Sequence, residues 1–233
     1  MQSITIVLRA KQLINASKQS NVTTCHSVIQ DLLGNNPVMW PVSSLPWVIA
    51  GLIHCMDRLP LSTLDTIMPS VFELFAKLLD NEWSHPIMIK GLRLAHRPPR
   101  LPQRFLVIPR IIMAIKRYRH YPEAFDLAQR LLALQSQTND SELFQGLLPI
   151  HCKQLQAMIA QSHKTPLSAP VITSLELMAH SFPVAFDQLI APLPRRTKHR
   201  VLARLSVKWP RGWVAESRHP RVVWWQRLGV AVS

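Results

Sequence analysis

The chain has 233 residues, 48% of them apolar, enough for one large or two small domains with a real core and too many for a disordered polymer. Its 27 Lys and Arg against 13 Asp and Glu give a formal net charge of +14, a self-repulsion that usually persists where a polyanion supplies the counter-charge. The three cysteines, Cys25, Cys55 and Cys152, argue against a disulfide framework and for a reducing, cytoplasmic setting.

The opening "MQSITIVLRAKQ" has no charged segment leading into a long apolar run, so no secretory leader is expected. Thr24 is placed to cap "CHSVIQDLLG", with Val28, Ile29, Leu32 and Leu33 on one face and Gly34 just past its end. Charge then disappears between Asp31 and Asp57. That stretch has bilayer length, but Pro37, Pro41, Pro46 and their polar neighbours leave about a dozen good residues from Trp47 to Met56. Such a length suits a core helix, capped by Ser44 with Pro46 in its first turn, and no integral membrane association is expected. Ser62 is expected to open "STLDTIM". Beyond Pro69, Ser70 opens a second helix, "VFELFAKLLDNE", on a stripe of Val71, Phe72, Phe75, Leu78 and Leu79. "PIMIKGLRLAHR" then runs to the stop at Pro98-Pro99.

"RFLVIP" reads equally as a buried strand or the start of a helix. Pro122 opens "PEAFDLAQRLLALQSQ", and Asp140 and Ser141 begin another helix that Pro149 interrupts before "IHCKQLQAMIAQSH". Residues 163–171 are the best linker. "VITSLELMAHSF" and "VAFDQLIA" follow, then a basic helix, "PRRTKHRVLARL", with Val201, Leu202 and Leu205 inward and Arg196, Arg200 and Arg204 outward. The expected fold is mainly α, a bundle of short helices punctuated by 19 prolines, with room for a small β element near 104–108 or 221–226. A helical domain is expected at 1–165, carrying a basic loop at 96–121, and a helical, basic, Trp-rich region at 166–233.

The charge is concentrated in two islands. From Trp83 to Pro122 stand Lys90, Arg93, Arg97, Arg100, Arg104, Arg110, Lys116, Arg117 and Arg119, with no acid. From Ile190 onward stand Arg195, Arg196, Lys198, Arg200, Arg204, Lys208, Arg211, Arg218, Arg221 and Arg227, opposed only by Glu216. The rest of the chain keeps 8 of the 27 basic and 12 of the 13 acidic residues, an acidic-leaning globule. Arginine dominates both islands, and its planar fork grips phosphate with two hydrogen bonds where lysine offers a point charge.

In the first island Pro98, Pro99 and Pro102 forbid one continuous helix. Arg93 and Arg97 can share a helix end, favoured there by the dipole, while Arg100 and Arg104 lie on an extended, stiff segment. That segment either follows a phosphate backbone or is a cap and a solvated loop. "IKRYRHYP" adds Lys116, Arg117, Tyr118 and Arg119; its tyrosines either stack on bases among the charges or anchor a helix corner. In the second island Trp209 and Trp213 accompany Lys208 and Arg211, again as stacking platforms or as core. An anionic membrane surface is the competing polyanion.

Each cysteine adjoins a histidine, yet no CxxC or HxxxH spacing anchors a metal site, and no metal or cofactor is expected. Gly-rich phosphate loops, HExxH and nucleophile elbows are missing, so no catalytic residue is assigned. A metal-dependent nuclease would draw on scattered acids such as Asp57, Asp65, Asp80 and Glu82. The order of parts (a Cys/His-bearing N-terminus, the Pro-rich "PPRLPQRFLVIP", a basic helical C-terminal half) resembles a small large-subunit-like protein of an RNA-guided, CRISPR-like defence complex. No specific motif accompanies that resemblance, and it assigns no family. The expectation is a non-enzymatic subunit of a bacterial (ribo)nucleoprotein assembly, of that kind or of a plasmid or mobile element, with RNA or DNA and other subunits as partners. A peripheral membrane or secretion-apparatus accessory protein is the second expectation, and a metal-dependent enzyme acting on nucleic acid the third.

Overall fold

A computed structural model describes residues 2–90, 106–138, 141–162 and 166–205. Among the described residues there are eleven α-helices, three short 3-10 helices and no strand, so the mainly α expectation holds. Of the two candidate β positions, the described part of the first runs straight into a helix at Ile108, and 221–226 lies outside the described residues. The chain divides into two compact units, 1–157 and 158–233.

In the first unit, α1 (Gln2–Lys18) forms despite the β-branched Ile4, Thr5, Ile6 and Val7, which lower helix propensity. Packing overrides that preference. Ile6, Ala10, Leu13 and Ala16 are buried on a face that meets α2 (Val22–Gly34) and α3 (Leu45–Arg58). Gly51 of α3 permits the close approach, because a Cβ there would lie 3.1 Å from Leu13 Cδ2 and 3.3 Å from the Ala10 carbonyl oxygen. The cap of α2 is Asn21 rather than Thr24: Asn21 Oδ1 accepts from the Thr24 N–H at 3.0 Å, placing Thr24 in the first turn. Ser44 does occupy the cap position of α3, but its hydroxyl donates back to the Pro41 carbonyl at 2.7 Å. Val48, Ile49, Leu52 and Ile53 are fully or almost fully buried, so the uncharged stretch does supply a core helix.

One helix stands where two were expected. The single helix α4 (Leu61–Leu79) runs through Pro69, which removes the backbone donor that would have bonded the Asp65 carbonyl. Tyr121 fills the vacancy, its hydroxyl donating to Asp65 O at 3.2 Å. Tyr121→Phe is therefore expected to cost about 1 kcal/mol in urea denaturation, with no change in oligonucleotide affinity. Phe72 and Phe75 of α4 are fully buried, each worth about 1.5–3 kcal/mol of apolar burial. They belong to the core that α4 makes with α2 and with α7 (Pro122–Ser136).

The end of α4 is tied down thoroughly. Ser84 Oγ donates to Leu78 O at 2.6 Å, a His85 ring nitrogen lies 2.8 Å from Leu79 O, and buried Asn81 reaches Pro37 O at 3.1 Å. Arg130 of α7 completes the tie with ion pairs to Asp80 and Asp126. The short α5 (Ser84–Lys90) leads from here into the first basic island. Beyond it stand α6 (Ile108–Arg117), α7 and α8 (Leu147–Gln161). Gly146, at φ +86°, makes the turn into α8 in a conformation that suits glycine. Pro149 then falls in the first turn, where no N–H partner is needed, and does not interrupt the helix.

In the second unit α9 (Ala169–Ser181) packs on α10 (Pro183–Ile190), and α11 (Arg195–Leu202) follows. Val201, Leu202 and Leu205 are buried, as their spacing predicts.

Candidate nucleic-acid interface

The sequence of α6 fixes its orientation. Ile108, Ile111, Ile112 and Ile115 recur at helical spacing and are buried, while Pro109 sits in the first turn. That face leaves Arg110, Met113, Lys116 and Arg117 on the other side, with the last two where the negative end of the helix dipole favours cations. Residues 108–117 of the expected basic loop at 96–121 are thus a helix. Lys116, Arg117 and Arg119 are exposed, and no acid pairs with any of them. Arg110 differs, because it forms an ion pair with Asp57 at the end of α3.

Tyr118 is a core residue. Its ring is 4% exposed and meets Phe72 edge-on at 6.3 Å and Tyr121 at 6.2 Å. Burial first, and the carboxylate of Asp65 after it, push the phenol above its usual range. These surroundings are those of the anchoring alternative, and Tyr118 also contributes to the lining of the neighbouring groove. The Arg117 guanidinium lies 5.7 Å from the centroid of the same ring, which orients that cation beside the helix end. Behind the Arg110–Asp57 pair, His54 is held below its usual range by burial and then by Lys18 and Arg58.

A groove of about 440 Å³ opens where α6 meets the end of α3 and the start of α4. Leu61, Leu64, Met68 and Met113 line it, together with Arg110 and Arg117. Sequence patterning misses this groove because 104–108 reads as strand or helix alike. Once 108–117 is a helix, Met113 stands out as an apolar residue opposite the isoleucine face.

In the second unit the basic helix is only partly free. Arg195, Arg196, His199 and Arg204 are exposed. Lys198 is 5% exposed, its Nζ donating to Ala191 O at 3.3 Å, so it braces the turn after α10. The expected outward stripe loses Arg200, which is half-buried and donates to the Ser162 carbonyl and, at 3.3 Å, to the Ser162 hydroxyl. Arg93, Arg97, Arg100, Arg104, Lys208, Trp209, Arg211 and Trp213 lie outside the described residues.

Asp57 and Asp80 are each engaged by an arginine. Among the described residues no group of three or more His, Cys, Asp or Glu could hold a metal ion. Cys25 and Cys55 are buried and Cys152 partly so; burial pushes the Cys152 thiol up, away from the reactive thiolate. No described helix is long and apolar enough to cross a membrane. Comparison of the chain with protein-family models, with curated proteins and with solved structures returns no match.

Proposed function

We propose that the chain is a non-catalytic nucleic-acid-binding subunit of a larger assembly, gripping the phosphate backbone through its two arginine-rich islands. One observation carries the reading: most of the described island cations stay exposed, with no acid in an ion pair to them. Three island cations stand apart from these: Arg110 is ion-paired to Asp57, and Lys198 and Arg200 are engaged within the second unit. Lys116, Arg117 and Arg119 in the first unit, and Arg195, Arg196 and Arg204 in the second, are left for an external anion. Three of the four cations at 116–119 and 195–196 that adjoin another cation directly are arginines, the residue that matches phosphate with a bidentate fork.

The test is the salt dependence of binding to a labelled oligonucleotide. If these six cations each neutralise one phosphate of a single strand, log affinity falls against log salt with a slope of about −4. A flat salt dependence refutes the reading. So does flotation with phosphatidylserine vesicles combined with no oligonucleotide binding at about 50 mM salt.

A further inference from the structure

The groove beside α6 has a character that phosphate binding alone does not explain. Met113 is 73% exposed and Leu61 52% exposed, an apolar pair left uncovered next to unpaired arginine. We infer that this groove receives an unpaired nucleobase, so that the ligand is single-stranded nucleic acid rather than duplex. The inference rests on the nucleic-acid reading above and adds the form of the ligand.

Size supports it first. A volume of about 440 Å³ lies in the range of small-ligand sites and suits a base better than the several-turn face of a partner helix. The lining comes second. Leucine and methionine side chains give the apolar surfaces between which an extruded base is held, and methionine adapts to either ring size. Charge comes third. Arg117 stands one helical turn, about 5.4 Å, beyond Met113, and Lys116 and Arg119 flank it, so backbone phosphates next to a seated base meet cations. Asp57, held by Arg110, keeps acceptor capacity for an exocyclic amino group. Bases in a duplex are stacked and paired, and they present none of these surfaces to a groove.

The experiment uses the full chain and two probes: a single-stranded oligonucleotide carrying one 2-aminopurine, and the same strand annealed to its complement. The single strand is expected to bind about tenfold tighter at equal salt, and 2-aminopurine emission to rise as its base leaves its neighbours. Met113→Gln and Leu61→Gln, both neutral and at exposed positions, are each expected to weaken the single strand about fivefold and leave the duplex unchanged. Met113→Leu restores the single-strand affinity. Equal affinities, an unmoved emission and an indifferent Met113→Gln, with salt-dependent binding intact, overturn the base site and leave the proposed function standing. Binding of a Glu-rich amphipathic peptide that Met113→Gln abolishes, with the oligonucleotide untouched, assigns the groove to a protein and overturns the inference likewise. No binding of either probe at low salt overturns both.

Discussion

Lowering the pH from 7 to 4 is expected to remove about 3 kcal/mol of stability from the first unit through His151 alone. His151 lies on α8 with no exposed surface, its ring stacked on Phe125 at 4.8 Å and 23°. Burial favours the neutral imidazole and lowers its pKa to about 4, against an opposing contribution from Gln154. In the unfolded chain the same group titrates near 6.5. Between those values the unfolded chain holds a proton that the native chain refuses. The stabilising contribution is therefore complete above 6.5, is lost as the pH falls toward 4, and declines no further below that. His54, also depressed, acts in the same direction. Urea denaturation at pH 7 and pH 4 checks the expectation, with His151→Gln as the variant that is neutral at both. The loss on acidification is expected to be smaller in the variant by about 3 kcal/mol, a large share of a typical domain's stability. Equal losses in the two proteins would show that His151 is not the group responsible.

How much of this fold can be read from the residues depends on whether the signal is local. The stripe from Val71 to Leu79 and the run after Pro122 are regular and both are helical, the second close to its expected bounds. Pro69 misleads because its cost is met from 52 residues away, by a tyrosine hydroxyl that no local pattern announces. The helix α1 is concealed for the opposite reason. Its β-branched opening argues locally for strand, and its stability comes from a long-range fit of Ala10 and Leu13 against Gly51. Pro149 shows that the same residue type breaks or begins a helix according to which turn it occupies.

The candidate interface divides along the same line. That charge is concentrated in two islands is a property of composition and needs no coordinates. Which cations remain available is a property of the fold. Arg110 is taken by Asp57, 53 residues away, Arg200 by Ser162, and Lys198 by the Ala191 carbonyl. Tyr118 sits among charges in the sequence but points to Phe72 in the structure. Side-chain direction at a helix end depends on what packs beneath it, and α4 is remote in sequence from α6.

The triple variant Lys116→Ala, Arg117→Ala, Arg119→Ala is expected to lose about 10²-fold in oligonucleotide affinity at 0.1 M salt while folding normally. All three side chains are exposed and none carries an ion pair, so their removal leaves no buried charge behind. The Arg119 carbonyl keeps its bond from the Gln154 side-chain Nε2 at 3.0 Å, because Arg119 contributes only its backbone to it. The slope of log affinity on log salt should flatten by about two for a single strand, the signature of three phosphates no longer neutralised. Arg110→Ala is the informative contrast. Its charge is already committed to Asp57, and the pair is exposed, so its loss changes affinity by well under the roughly fivefold per cation of the others. Arg200→Ala should instead lower the stability of the second unit, since its guanidinium holds Ser162, and leave the salt slope unchanged. Anisotropy titrations across a salt series, beside urea denaturation of each variant, separate the three. A triple variant with the parent slope would mean that the end of α6 faces no phosphate, and that whatever binding remains belongs to the other cations.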